Sequence, residues 1–246
     1  MRSLLIGFDI GSSSVKASLL DADTGAPIVS KAFPEEEMPI DAPETGYAEQ
    51  DPEMWWKYVQ QASRYVTKQA NVKKGELKGI GIAYQMHGLV IVDRNLDVIR
   101  PSIIWCDSRA VSTGEETARV LGEELCRARL LNEPGNFTAS KLRWMQQHEP
   151  ELFQDIRTIL LPGDYIAYRL TGILQTTGSG LSEGTLWDFS ENRPATWLLD
   201  HWGMPRDLIP EVVPTFGVQA TVCEAAASDE HARRLGALQS ASGTQP

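Results

Sequence analysis

The first place where residue types and spacing suggest chemistry is a turn of small polar residues that follows a lone carboxylate. An apolar run over residues 4–8 stops at Asp9, and a second apolar run begins at Val15. The turn between the two runs contains Gly11, Ser12, Ser13 and Ser14. Glycine permits close approach by a ligand, and serine hydroxyls with exposed backbone N–H groups can face a polyanion. The stretch indicates either phosphate binding or an ordinary Gly/Ser hairpin.

Two further groups of chemically capable residues follow predicted strands. The first corner, after a predicted buried strand at residues 77–84, consists of Gln85, Met86, His87 and Gly88. The second corner, after a predicted strand at residues 99–105, consists of Trp105, Cys106, Asp107, Ser108 and Arg109. Both corners are predicted to lie at strand ends of one sheet, where they would offer an aromatic wall, hydrogen-bonding groups and charges. That combination is typical of a pocket for a polyol.

Each corner also has a simpler interpretation. A single histidine at a corner is often only hydrogen-bonded, with Gly88 permitting the chain reversal. Asp107 or Ser108 can cap a helix that starts at the second corner, with a local salt bridge to Arg109. The functional interpretation is favoured because the two corners occur together.

Two common nucleotide-binding motifs do not explain the first turn. The sequence contains no Gly-x-x-x-x-Gly-Lys-Ser/Thr, and residues 7–11 do not match the dinucleotide fingerprint. Phosphate binding here therefore requires a different device.

Composition narrows the class of protein. The 246 residues are 42% hydrophobic and 23% charged, which is ordinary for a globular protein that buries a full core. The formal net charge of -10 argues against a nucleic-acid partner. Asp9 interrupts the apolar N-terminal run, so we expect no signal peptide or membrane span and a cytoplasmic location. The 3 widely spaced cysteines predict free thiols, not disulfides or a zinc site.

Local patterns predict the elements that position these residues. The two apolar runs and a third strand at residues 27–32 should form an antiparallel meander. Residues 33–50 are expected to form a surface loop. Asp51 and Pro52 predict a helix start, and helical spacing of large apolar residues predicts one buried helix face. Those apolar residues are Trp55, Tyr58, Val59, Ala62 and Val66.

The rest of the chain is predicted to alternate short strands with helices. A helix should end near Pro150, with Leu142 and Met145 on its inner face. Asp164 is expected to cap a later helix. The other predicted elements are a strand at residues 158–161, that later helix at residues 165–170, a Gly/Ser/Thr-rich loop at residues 176–188 and a short helix at residues 197–202.

The order of these motifs resembles that of the FGGY carbohydrate kinases, and within that family its xylulose-phosphorylating members. The resemblance rests on Asp9, both corners, residues 137–151 and the string Leu161-Pro162-Gly163-Asp164-Tyr165. Glycerol-phosphorylating members carry Gln-Arg-Glu at the first corner. The pair Met86 and His87 therefore points to a ketose.

The resemblance implies a role for each candidate residue. Asp9 would hold Mg2+ through water and so position ATP. The phosphate contacts would come from Gly11, Ser12, Ser13, Ser14 and Lys16. The sugar contacts would come from Gln85, Met86, His87, Trp105, Asp107 and Arg109.

The resemblance also implies the fold and the domain organisation. The fold would be an α/β actin-like ATPase (ribonuclease H-like) domain with a mixed sheet flanked by helices. Residues 1–224 would form the N-terminal, sugar-binding half, and residues 225–246 an irregular tail or the truncated start of the C-terminal half. In the family the catalytic Asp follows a glycine pair. This sequence contains no Gly-Gly dipeptide, so the chain is expected to lack that base.

The predicted function is ATP-dependent phosphorylation of a ketopentose, D-xylulose to D-xylulose 5-phosphate, with this chain as the N-terminal half. The expected partners are a small sugar, ATP with Mg2+ and the missing C-terminal half-domain, without nucleic acid or membrane, and a homodimer is left open. The alternatives are a catalytically silent sugar-binding domain and a kinase for another substrate such as ribulose or glycerol. The fragment alone is expected to be inactive.

Overall fold

The computed structural model of this chain describes residues 1–222. The predicted tail at residues 225–246 and Cys223 lie outside that part of the chain. The strands are β1 (Leu4–Ile10), β2 (Val15–Asp21), β3 (Pro27–Phe33), β4 (Glu49–Gln50), β5 (Leu77–Tyr84), β6 (Val90–Val92), β7 (Ser102–Ile103), β8 (Thr158–Leu160), β9 (Gln175–Thr177), β10 (Trp187–Asp188), β11 (Arg193–Pro194) and β12 (Glu211–Val213). The helices are α1 (Pro52–Gln69), α2 (Val111–Leu121), α3 (Glu123–Leu130), α4 (Thr138–His148), α5 (Pro150–Gln154), α6 (Pro162–Thr171), α7 (Gly178–Glu183) and α8 (Thr196–His201), with a 3-10 turn at Arg206–Leu208.

The largest sheet has the strand order β3-β2-β1-β5. Strands β1, β2 and β3 form the predicted antiparallel meander, and β5 runs parallel to β1. Because β1 and β2 pair in register, Asp9 lies opposite Lys16 beside the turn that joins the strands. The sheet is therefore mixed, as predicted, and it brings the first turn and the end of β5 to the same edge.

Helix α1 covers one face of this sheet. The Asp51 carboxylate accepts a hydrogen bond from the Glu53 N–H at 2.9 Å and Pro52 is the first helical residue, so the predicted helix start is confirmed. Trp55 and Trp56 are both buried against the sheet. The tryptophan pair is thus core structure, which is what an amphipathic helix of this spacing requires.

The opposite face of the sheet is open. Leu5 and Asp9 in β1 are exposed, and a Cβ added at Gly7 or Gly81 would meet no atom within 4 Å. Strand β5 has its predicted bounds, but none of its residues is fully buried, so the expectation of a buried strand is wrong. The reason is positional: β5 forms the edge of this sheet, and no element within residues 1–222 covers the open face.

A second hydrophobic core contains residues of α4 and α8. Its strands are short and pair separately, β4 with β7 and β6 with β8. The predicted strand at residues 99–105 is mostly wrong, because only Ser102–Ile103 is a strand. The two corners consequently do not end strands of one sheet. An isolated bridge between Leu89 and Ile103 joins the segments that carry them.

Several predicted boundaries shift for local reasons. The predicted surface loop ends in buried residues, since Ala48, Glu49 and Gln50 are all under 9% exposed. The predicted loop at residues 176–188 contains helix α7, whose Gly180 N–H donates to the Thr177 hydroxyl at 3.0 Å. Helix α6 begins at Pro162, three residues before the predicted start.

The predictions for the end of helix α4 and for two of the cysteines are confirmed. Helix α4 ends at His148, two residues before Pro150, and buries Leu142 and Met145. Cys106 and Cys126 are free thiols. Among residues 1–222, every helix is too short or too polar to cross a lipid bilayer.

Candidate functional site

The first turn presents unused backbone donors. The Gly11 N–H donates to the Ser14 carbonyl at 3.0 Å, and the Met38 N–H donates to the Ser13 carbonyl at 2.8 Å, so the turn is fixed from both sides. The N–H groups of Ser12, Ser13 and Ser14 find no acceptor within residues 1–222. Aligned free N–H groups in a tight turn form a concave site for an anion.

Asp9 and Lys16 flank that turn and both are exposed on the open face of the sheet. No cluster of three His, Cys, Asp or Glu side chains occurs in the described part of the chain. A single exposed carboxylate fits Mg2+ bound mainly by water and substrate phosphates, because Mg2+ in such sites needs only one or two protein carboxylates. The residues present therefore fit a magnesium ion that arrives with a nucleotide.

The first corner begins with a buried amide that is only partly satisfied. The Gln85 N–H donates to the Ile10 carbonyl at 2.8 Å, which attaches the corner to the end of β1. The Gln85 Nε2 lies 3.4 Å from the Gln50 Oε1, while its own Oε1 is buried without a hydrogen-bond partner. An unpaired buried acceptor is costly, and a ligand hydroxyl would satisfy it.

His87 adopts a left-handed backbone conformation, with φ at 59°. The reversal predicted for Gly88 thus takes place at His87. The His87 Nδ1 lies 3.0 Å from the Glu183 carbonyl oxygen, and the ring meets the Phe137 ring edge-on at 4.5 Å. Burial lowers the pKa of His87, so the ring is neutral at neutral pH and can both donate and accept.

Gly88 has a different role from the one predicted. A Cβ at Gly88 would lie 2.5 Å from Pro162 Cγ, so glycine allows the start of α6 to pack against the first corner. The neighbouring Met86 is half-exposed and makes an apolar surface beside His87.

The second corner is joined directly to the first turn. Trp105 is 48% exposed, and its indole Nε1 donates to the Ser12 hydroxyl at 3.2 Å. An exposed indole held in place by a hydrogen bond offers a rigid apolar wall, as sugar-binding sites commonly need. The structure thus brings the first turn and the second corner together.

Asp107 and Arg109 form a fully enclosed ion pair. Asp107 is 0% exposed, and its carboxylate accepts bonds from the Arg109 guanidinium and from the Ala48 N–H at 2.6 Å. Arg109 also donates to Glu49 at 2.6 Å and stacks 3.7 Å from the centre of the Tyr47 ring. Helix α2 starts later, after Ala110 and without a side-chain cap, so the predicted cap at Asp107 or Ser108 is wrong.

Gln50 is a connecting residue that sequence reasoning missed. It is 1% exposed, and its Nε2 donates to the Ser12 carbonyl at 2.7 Å and to the Pro39 carbonyl at 3.0 Å. Its Oε1 accepts from the Trp55 indole at 3.1 Å and faces Gln85. Gln50 therefore links the first turn, helix α1 and the first corner. It stands in a polar, irregular segment, which gives no local signal of burial.

Two other polar side chains, His148 and Asp164, lie away from this group. His148 stacks on Trp144 with ring centres 4.7 Å apart, and its Nδ1 lies 2.9 Å from the Trp144 carbonyl oxygen, so it belongs to the end of α4. Asp164 is the third residue of α6, not the residue before it, and its Oδ2 accepts the Leu161 N–H at 3.2 Å. The expected capping role is therefore made from inside the helix.

Known proteins are similar to this chain in sequence and in fold. The sequence profile of the FGGY family of carbohydrate kinases, N-terminal domain, matches residues 4–237. A xylulose kinase of Escherichia coli (strain K12) is 33% identical over 249 residues, covering 95% of this chain and 50% of that protein. The crystal structure of a xylulose kinase from Rhodospirillum rubrum is 27% identical with a TM-score of 0.81, covering 91% of this chain and 45% of that one.

A more distant structure shares the fold alone. A Plasmodium falciparum glycerol kinase with ADP is 17% identical with a TM-score of 0.81, covering 92% of this chain and 46% of that one. These similarities confirm the predicted actin-like fold. The chain spans about half the length of the curated relatives it matches. On the match over residues 4–237, the chain belongs to the FGGY family of carbohydrate kinases and corresponds to its N-terminal domain.

Proposed function

We propose that this chain is the sugar-binding half of an ATP-dependent ketose kinase. The observation that carries the proposal is the hydrogen bond between Trp105 and Ser12, because it fixes the second corner beside the turn that offers free N–H groups. Phosphoryl transfer requires donor phosphate and acceptor hydroxyl to be held in line at short distance. The first turn, hydrogen-bonded to the second corner, would hold the phosphate and the sugar close together on one side of a cleft.

On the nucleotide side, the free N–H groups of Ser12, Ser13 and Ser14 would bind the terminal phosphates. Asp9 would hold the water shell of Mg2+, and Lys16, opposite it, would add positive charge. The metal ion neutralises the charge that develops on the phosphates during transfer. Gly11 keeps the turn tight, since a Cβ there would lie 3.1 Å from the Ser14 carbonyl oxygen.

On the sugar side, the exposed faces of Met86 and Trp105 would pack against the carbon skeleton. The unpaired Oε1 of Gln85 and the neutral ring of His87 would hydrogen-bond the hydroxyl groups. The burial of Asp107 and Arg109 supports a different role, in which their ion pair keeps the second corner in shape through the Ala48 N–H.

The proposed location is the cytoplasm, where ATP is supplied. The proposed substrate is D-xylulose, which would be phosphorylated at O5. A sequence identity of 33% to a xylulose kinase supports this choice over ribulose or glycerol. The catalytic base and the second set of nucleotide contacts are proposed to come from a C-terminal half-domain.

A second candidate is a sugar-binding domain without catalysis. The absence of a Gly-Gly dipeptide from the sequence favours it for the chain by itself, because the family's catalytic Asp follows such a pair. Binding and turnover separate the two candidates.

Isothermal titration calorimetry of the chain with D-xylulose, D-ribulose and glycerol, alongside ATP turnover in a protein that contains both halves, tests the proposal. We expect heat with D-xylulose that is lost in His87→Ala and kept in His148→Ala. Turnover with both halves supports the kinase, whereas binding without turnover in that two-half protein supports the silent domain. Binding of none of the three polyols, together with no turnover, overturns both.

A further inference from the structure

A short segment at the start of α4 contacts both corners. We call residues 136–141 the brace. Asn136 Nδ2 donates to the Asp107 carbonyl in the second corner. In the first corner, the Phe137 ring lies 4.5 Å from the His87 ring, and the Thr138 hydroxyl lies 3.4 Å from the Gly88 carbonyl oxygen. The brace therefore spans the two groups of residues that no single sheet connects.

Lys141, the last residue of the brace, bonds to both corners through one atom. Its Nζ donates to the His87 carbonyl at 2.7 Å and to the Ile104 carbonyl at 2.9 Å. His87 is the residue with the left-handed backbone, and Ile104 directly precedes Trp105. The two bonds are thus placed where each corner turns.

The lysine is held in this position at a cost. Lys141 is 0% exposed and makes no salt bridge within residues 1–222. Burial lowers its pKa to about 8, while the neighbouring Asp107 and Cys106 act to raise it and Arg109 acts to lower it further. An apolar side chain of similar length would fill the same space without that penalty. What the ammonium group adds is the pair of bonds to the corner carbonyls.

We propose that Lys141 is a positioning residue that sets the spacing between the first and second corners. By fixing the carbonyls of His87 and Ile104 to one nitrogen, it makes Met86, His87 and Trp105 face a common ligand. The expected effect of Lys141 on sugar affinity rests on the proposed function. Its expected effect on how rigidly the two corners are held is independent of that function.

Amide hydrogen exchange of the chain, followed by mass spectrometry, measures how rigidly the two corners are held without any ligand. The Leu89 N–H bonds to the Ile103 carbonyl and the Asp107 N–H bonds to the Ile104 carbonyl, so protection at these amides reports on the two corners. Strands β1 and β2 serve as the internal reference. The test variant is Lys141→Met, and the matched control is Leu142→Ala, which damages the same helix and the second core without removing either corner bond.

In Lys141→Met we expect exchange at both corners to accelerate by about tenfold, with β1 and β2 unchanged, because local opening no longer has to break the two bonds. In Leu142→Ala we expect no selective acceleration at the corners. Corner protection that stays at the wild-type level in folded Lys141→Met, or equal acceleration in Leu142→Ala, overturns the proposal.

A second variant tests whether the brace that carries Lys141 orders the corners, and it does so even if Lys141→Met does not fold. Asn136→Ala removes only the bond to Asp107, so we expect faster exchange at residues 105–108 and unchanged exchange at residues 87–90. Unchanged exchange at both corners in this variant overturns the brace.

Sugar titrations complete the test. If the wild type binds D-xylulose, Lys141→Met should weaken binding by about tenfold and Leu142→Ala should leave it nearly unchanged. Equal affinities in wild type and Lys141→Met overturn the positioning role. If the wild type binds no sugar, the proposed function fails, and the exchange result still decides the role of Lys141.

Discussion

The indole Nε1 of Trp105 donates a hydrogen bond to the hydroxyl of Ser12 at 3.2 Å, although the two residues are 93 positions apart in the chain. Ser12 belongs to the turn with free N–H groups, and Trp105 provides the exposed aromatic face of the second corner. A second route connects the same turn to the first corner through Gln50. The proposed phosphate and sugar sites therefore share contacts. A substitution in one site should alter the geometry of the other.

Asp9→Asn should leave the fold intact and reduce turnover strongly in a protein that contains both halves. The side chain is exposed, so its replacement removes charge from the proposed magnesium site without disturbing the core. Steady-state kinetics at varied Mg2+ concentration, with circular dichroism for the fold, measure the effect. Wild-type turnover in this variant would disprove the metal assignment.

His87→Ala should weaken ketose binding by about 1–3 kcal/mol, the usual result of leaving a buried polar partner unpaired. The control is His148→Ala, because His148 is stacked on Trp144 at the far end of α4. Calorimetric affinities for D-xylulose compare the two variants. Equal affinities would mean that His87 only shapes the corner.

Gly163→Ala should lower the free energy of unfolding by about 1–3 kcal/mol, because a Cβ there would lie 2.0 Å from the Tyr84 ring. Gly81→Ala is the matched control, since a Cβ at Gly81 would meet no atom within 4 Å. Urea denaturation of both variants measures the difference. A loss of stability in Gly81→Ala as large as in Gly163→Ala would contradict the close packing of α6 on β5.

Asp164 should make the fold less stable as the pH rises. Burial raises the pKa of Asp164 from 3.8 to about 7, so between these values the folded chain binds the proton more tightly than the unfolded chain. The stability that this group contributes is present below pH 4 and is lost as the pH rises through 7. Urea denaturation at pH 5 and pH 8 should show that the free energy of unfolding falls less with rising pH in Asp164→Asn than in the wild type. Parallel losses would contradict the raised pKa.

The chain alone should not phosphorylate xylulose at a useful rate. It offers one wall of the proposed cleft, and loss of a general base alone commonly slows a reaction by ~10²–10⁴. A coupled assay of ATP consumption, with xylulose, Mg2+ and purified residues 1–246, measures the rate. Turnover of ordinary kinase size would refute the placement of the base in a C-terminal half.

Local patterns in the sequence were sufficient for much of the central sheet. The alternating apolar residues of β1 and β2, with Gly11 between them, predicted a hairpin because strand period and turn chemistry are set by neighbouring residues. The Asp51-Pro52 pair predicted the start of α1 for the same reason. The two corners were identified because their residues combine aromatic, hydrogen-bonding and charged side chains.

Predictions failed where an element depends on distant contacts. Gln50 lies in a polar segment and is buried among residues that include Ser12 and Gln85, which are distant from it in the chain. The segment at residues 99–105 pairs for just two residues, because its partner is the equally short β4. Neither outcome has a local signature.

The sequence by itself determined the meander, the start of α1, the family resemblance and the residues of the first turn and both corners. Only the tertiary structure decided that Asp107 and Arg109 are enclosed, that His87 carries the reversal and that Lys141 joins the two corners. The physical reason is the distance along the chain over which each property is set. Backbone preference and apolar period are properties of adjacent residues, whereas burial and the pairing of polar groups depend on which segments the folded chain packs together.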